Sequence, residues 1–418
     1  MSLKFKIATN TFVQILGRFI TAGTTFLITI LIAREFGAEG YGEFTKIMTF
    51  VAFFYLISDF GLNAIAVKQI SENEAEKEKI FANFLSLRIF SSVILVLLAI
   101  FIAAFLPYYQ SQNQGFSSFV KLGIFIASFT IVTQAIFTTV NILFQKNLRY
   151  DLSVLSASTG TLFLLLWTII LISLGATLFL VIGGYIAGGV VMATMALFFA
   201  RRFLKQLYLT FELKIWKKIF WQTLPLGLTL IFNLIYFRAD MMILSFLRPN
   251  IEVGIYGLAY KFFEFPLAFA TFFMNSTYPV ILARVKDGDL KPLIKKLTIF
   301  LISAAFLITV IIFVAAPLLT LIKAEFSSSI LALRVLSLSL PAFFLSSLFM
   351  WVLIAGGKQK LLAIFYGLSM LINVILNVVL IPRYGYLAAA GITGASEFLV
   401  LVLTGAGVIA FLKNCPRQ

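Results

Sequence analysis

Apolar stretches of about twenty residues recur along the chain with little charge inside them, and no other feature limits the fold as tightly. A hydrocarbon layer about 30 Å thick is crossed by about 20 helical residues, because a helix closes its backbone hydrogen bonds within itself. Bounded by turns and charges, such stretches fall near 11–33, 44–66, 82–106, 119–143, 154–174 and 178–199. Six more follow near 223–246, 256–281, 297–317, 329–354, 361–381 and 388–412. The 418 residues are 61% hydrophobic and 12% charged, about half the charge a water-soluble domain needs. The expectation is an all-α integral membrane protein with about twelve transmembrane helices.

The loops divide by parity. One set, from the N-terminus through 67–81, 144–153, 200–222, 282–296 and 355–360 to the tail, holds about 22 Lys and Arg. The other holds about four, namely Arg34, Arg248, Lys323 and Arg383. Cations concentrate on the cytoplasmic side, so both termini are expected in the cytoplasm of a multi-pass cell (inner) membrane protein. The net charge of +16 therefore reads mainly as topology, and nucleic acid is not an expected partner. No cleavable signal peptide is expected, since the short polar start runs directly into a full-length span.

Histidine is absent, which removes imidazole bases and the usual zinc sites. The single Cys415 reads as an inert tail residue. No nucleotide-binding loop or catalytic dyad is present, so neither enzyme activity nor a cofactor is expected.

The halves resemble each other. Tyr41-Gly42-x-x-x-Lys46 follows the first span, and Tyr256-Gly257-x-x-x-Lys261 follows the seventh. Six intervening helices, an even number, give both copies one orientation, so the symmetry axis should lie along the membrane normal with substrate at the interface of the halves. This gives two pseudo-symmetric six-helix lobes, 1–200 and 223–418. The basic, aromatic segment 201–222 between them is expected to be an amphipathic cytoplasmic helix, a hinge or strap. Pro266, Pro279 and Pro341 fall within later spans, so bends are expected mainly in the second half.

Ionisable side chains within spans cost about 2.5–3.5 kcal/mol each on insertion scales, so each needs a partner or a wet cavity. Gln14, Arg18, Thr21 and Thr25 share one face of the first helix; they line a cavity with Arg18 as an anion contact, or bridge to a neighbouring helix. Lys261 and Glu264 stand one turn apart, and Lys46 and Glu43 repeat that spacing in reverse; these pairs either neutralise themselves or release a lysine to an arriving anion. Arg238 is a further lumen cation, while Asp240 either gates or makes an interhelical contact. Asp59 serves a proton or sodium ion, or bridges to an arginine. Arg88 and Arg334 lie close enough to span ends to snorkel, and Glu397 is ambiguous. Asn373 and Asn377 glue helices or contact sugar. Cations outnumber anions in this set, which favours an anionic ligand over a cationic drug.

Three segments carry a family resemblance: Ala33-Arg34-Glu-Phe-Gly37-Ala-Glu-Gly40-Tyr41-Gly42-Glu-Phe44, Asp59-Phe-Gly-Leu62, and Asn373-Val-Ile-Leu-Asn377-Val-Val-Leu-Ile-Pro382-Arg-Tyr-Gly385. In this order, within a twelve-helix frame, they resemble the Wzx-type oligosaccharide flippases of the polysaccharide biosynthesis family, in the multidrug/oligosaccharidyl-lipid/polysaccharide (MOP) superfamily. The resemblance covers essentially the whole chain. It implies a MATE-like fold and a flippase that moves undecaprenyl-pyrophosphate-linked repeat units from the cytoplasmic to the outer leaflet by alternating access through a cationic central cavity. It also implies the lipid-linked glycan and membrane lipid as partners, a polysaccharide polymerase and chain-length regulator nearby, and drive from an H+ or Na+ gradient. On this reading Arg18, Lys46, Arg238 and Lys261 bind substrate. Asp59, Asp240 and Glu264 couple ions or gate, and Gln14, Asn373 and Asn377 contact sugar or pack. The alternatives are a MATE-like multidrug antiporter and a lipid II flippase, the latter disfavoured because further cations on the first helix and extra helices are missing.

Overall fold

The structure, a computed structural model, describes residues 3–287 and 290–413. Cys415 lies outside the described residues. Among these, ten helical stretches are long and apolar enough to cross a membrane. The helices are α1 (Leu3–Asp59), α2 (Leu62–Glu72), α3 (Lys77–Phe105), α4 (Ser118–Ser128), α5 (Thr130–Lys146), α6 (Tyr150–Ser173) and α7 (Leu178–Ala200). Then come α8 (Leu213–Leu247), α9 (Asn250–Asp287), α10 (Leu290–Ala315), α11 (Ser329–Ser337), α12 (Leu340–Ala355) and α13 (Gln359–Lys413).

Ten stretches and twelve expected spans are reconciled at two glycines. Helix α1 has 57 residues and α13 has 55. At 1.5 Å per residue each would run about 80 Å, more than twice the hydrocarbon thickness. Each is broken once, at Gly37 (φ 67°) and Gly385 (φ 61°), in the left-handed region that only glycine enters cheaply. Both breaks are pinned alike: the amide of Ala38 donates to Glu325 Oε2 at 2.8 Å, and that of Tyr386 to Glu252 Oε2 at 3.3 Å. A carboxylate thus caps the amide after each turn, where a new helix begins with unsatisfied donors.

Pro266 and Pro279 lie inside α9, as expected of prolines within a span, but Pro341 does not lie in a helix interior. That proline starts α12, just after a break at Leu338–Ser339, because proline suits a first helical turn and disfavours helix before it. A larger departure is the segment 204–212, which is not helical. The amide of Thr210 donates to Ser86 Oγ at 2.9 Å and that of Lys205 to Glu78 Oε1 at 2.6 Å, so α3 supplies partners an internal ladder would otherwise give. Helix resumes at Leu213.

Two compact units emerge. The first holds described residues up to Phe36, Glu43–Ser111 and Gly115–Leu234; the division falls within α8, and 201–222 belongs wholly to this unit. Its core joins Ile70, Phe81, Phe84, Leu143, Phe144 and Phe199 from α2, α3, α5 and α7. The second holds Gly37–Gly42, Gln112–Gln114 and described residues from Ile235 onward. There Tyr256, Phe263, Phe326 and Phe344 are fully buried.

Candidate functional site

In the first unit, α1 brings Gln14, Arg18 and Thr21 to a cavity of about 190 Å³ that α5 and α6 complete with Asn141, Tyr150 and Ser153. Thr21 and Thr25 spend their hydroxyls on carbonyls four residues back, so the stripe is less polar than its letters suggest. None of the described lining residues is acidic. Amides, hydroxyls and one guanidinium, with its fork of five N–H donors, make a wall suited to phosphate or acidic sugar.

The other charges of this unit are structural in form. Arg88 does not snorkel: it is buried, and its guanidinium donates to Asp59 Oδ1 at 2.6 Å, Asn63 Oδ1 at 2.9 Å and Thr138 Oγ1 at 3.1 Å. The break between α1 and α2 places Asp59 there, which makes inward pairing available to Arg88. Lys46 is likewise buried and donates to the carbonyl of Gly115 at 2.8 Å, tying the loop before α4 to α1.

The second unit gathers Arg238, Lys261 and Glu264. Arg238 Nη2 meets Glu264 Oε1 at 2.9 Å, and Lys261 Nζ meets Glu264 Oε2 at 3.2 Å, the three side chains being 30–40% exposed. The Arg238 guanidinium also lies 5.9 Å from the centroid of the Tyr260 ring. Two cations share one carboxylate, which leaves an accessible surplus of positive charge.

Deeper in this unit, Asp240 is buried, with Oδ2 accepting from Tyr256 at 2.5 Å and Thr393 at 3.1 Å and Oδ1 from the Met241 amide at 2.7 Å. Glu397 is also buried and accepts from the Tyr236 hydroxyl at 2.8 Å and from Ser346. Asn373 donates to Ser396 at 2.9 Å and Asn377 to Asn373 Oδ1 at 3.0 Å, so the asparagines bond within α13. A void of about 10 Å³ touches Tyr236, Asp240, Asn373 and Thr393, the space of about one water. Sequence reasoning left Glu397 unassigned because its partners come from α8 and α12. Among the described residues no three His, Cys, Asp or Glu cluster as metal ligands.

A profile described as polysaccharide biosynthesis protein matches residues 7–284, well over half the chain. The chain belongs to the polysaccharide biosynthesis protein family. A second profile, MatE, matches residues 225–379 of this family member. No curated protein matches it. Among solved structures, it is similar to the lipid II flippase MurJ in an inward closed conformation, at 18% identity, 95% coverage of this chain and 88% of that one, with a TM-score of 0.73. An inward-facing multidrug resistance MATE family transporter of the MOP superfamily superposes at 0.72, with 14% identity, 97% coverage of this chain and 100% of that one. An outward-facing transporter of the same description gives 0.62 at 15% identity, with 98% and 96% covered. This member of the polysaccharide biosynthesis protein family thus shares the fold of the lipid II flippase MurJ and of the MATE family transporters.

Proposed function

We propose that the protein flips undecaprenyl-pyrophosphate-linked oligosaccharide repeat units from the cytoplasmic to the outer leaflet of the cell membrane by alternating access. Two observations carry this reading: Arg18 lines a cavity with no acidic residue among its described lining, and Arg238 and Lys261 share a single Glu264. A pyrophosphate carries the complementary charge, and in a low-dielectric site a guanidinium contact is worth several times its value in water. A cationic drug would meet repulsion at the same places.

Energy comes, on this reading, from an H+ or Na+ gradient. Asp240 and Glu397 support it, since both are buried among hydroxyl and amide donors that serve a carboxylate but do not neutralise it. Lys46 and Asp59, both hydrogen-bonded within the first unit, serve its architecture, and Asn373 and Asn377 hold α13.

The test is translocation by purified protein in liposomes loaded with lipid-linked oligosaccharide. The double variant Arg18→Glu/Lys261→Glu is expected to lose flipping while remaining in the membrane. Undiminished flipping by that variant would exclude the anion site, and equal turnover of lipid II would widen the substrate class.

A further inference from the structure

The segment between α7 and α8 builds a cleft that transport leaves unused. It is strapped across one end of α3 by the Lys205 and Thr210 amides and by the 3.1 Å ion pair of Glu212 with Lys79. Between strap, α3 and α7 lies a space of about 400 Å³ walled by Leu85, Leu197, Phe198, Leu207 and Leu209. The hydroxyl of Thr194, also in the wall, is spent on the Val190 carbonyl. The α3 and α7 side of this wall is apolar, and Phe198 and Leu209 are more than half exposed.

Among the described residues lining the cleft Arg201 is the single charged one, with exposed Arg202 and Lys205 close to it in sequence. Tyr208, which also lines the cleft, combines an apolar ring with a hydroxyl, as side chains at the headgroup level do. An apolar space with a cation in its lining matches one kind of occupant, an amphiphile with an anionic head.

We propose that the cleft binds one anionic phospholipid of the leaflet on which the strap lies, its phosphate against Arg201 and one acyl chain along Leu85, Leu197 and Leu209. Hydrocarbon alone gives no selectivity here, because lipid tails are as apolar as the leucines they touch. Selectivity comes from Arg201, since one basic residue at an anionic headgroup contributes about a fivefold preference. A bound lipid braces the strap against α7 from beneath. This site is independent of which cargo the protein carries.

Placing an indole in the wall by Phe198→Trp, at an exposed position, makes occupancy visible. In phosphatidylcholine vesicles, brominated-chain phosphatidylglycerol is expected to quench the added fluorescence at about a fivefold lower mole fraction than brominated phosphatidylcholine. Arg201→Gln should remove that preference and Arg201→Lys should keep it, both at an exposed side chain. Equal quenching by the two lipids overturns the proposal, as does a preference that survives Arg201→Gln. Displacement of the quencher by polyprenyl pyrophosphate would assign the cleft to the cargo chain, which also overturns it.

Discussion

Both units place carboxylates within apolar helices, yet Asp59 of the first and Asp240 and Glu397 of the second are satisfied in opposite ways. Asp59 in the first faces the buried guanidinium of Arg88 at 2.6 Å, so each charge compensates the other. Asp240 and Glu397 in the second accept hydrogen bonds from Tyr256, Thr393, Tyr236 and Ser346, all neutral donors. An ion pair locks two helices together, because removing either partner strands a charge. A carboxylate held by hydroxyls can take up a proton or a cation without losing a salt bridge. The first arrangement suits architecture and the second suits coupling.

The largest effect should come from breaking the locked pair. Arg88→Leu leaves Asp59 without its cation and should destabilise the protein by about 3–5 kcal/mol, read as a lowered unfolding midpoint in detergent. The double variant Arg88→Leu/Asp59→Leu should recover most of that loss and still flip substrate along a gradient. If it folds but no longer responds to the gradient, Asp59 is an ion site and the contrast between units collapses.

The repeated lysines give the next effect. Lys46→Met removes a buried donor from the Gly115 carbonyl and should cost about 1–3 kcal/mol of stability. Lys261→Met should change stability by less than about 1 kcal/mol, since its partly exposed pair with Glu264 is screened. Flipping should fall with Lys261→Met and, corrected for folded protein, be unchanged with Lys46→Met. The reverse order in the liposome assay would move the substrate site to the first unit's copy of the motif.

A smaller change in stability, with a sharp functional signature, is expected at the second unit's carboxylates. Asp240→Asn or Glu397→Gln keeps most hydrogen bonds and should cost about 1 kcal/mol each. Downhill exchange of substrate should persist while gradient-driven accumulation is lost. Accumulation at the wild-type level in the double variant would show that the hydroxyl-bound carboxylates only hold helices.

The spans were legible because their signal is local: length, apolarity and the parity of flanking cations need no tertiary knowledge. Even the two merged helices divide where the sequence places Gly37 and Gly385 between apolar runs. Side-chain environment was not legible in the same way. The Tyr-Gly-x-x-x-Lys repeat marks equivalent places in the chain, yet one lysine is buried against Gly115 and the other is partly exposed beside Glu264. Arg88 sits near enough to a helix end to snorkel, and only the break before Leu62 shows why it turns inward. The segment 201–222 has an amphipathic composition throughout, but its first half takes its hydrogen bonds from Ser86 and Glu78, more than a hundred residues earlier.

The smallest expected effect concerns a carboxylate that resembles neither class, because it is partly exposed and lies outside the spans. Glu212 ends the strap, and its bond from Lys79, with help from Asn83, holds its carboxyl below the ordinary value of 4.5. A depressed carboxyl contributes stability that is fully present above its unfolded value and lost as pH falls through the folded one. The strap should therefore loosen only below about pH 4.5, a change visible in the fluorescence of Trp216, which packs on Phe211 and Phe90. Glu212→Gln should abolish that acid transition and leave the neutral-pH spectrum nearly unchanged, as a solvated pair contributes little. If the transition persists in Glu212→Gln, the Glu212–Lys79 pair has no part in it.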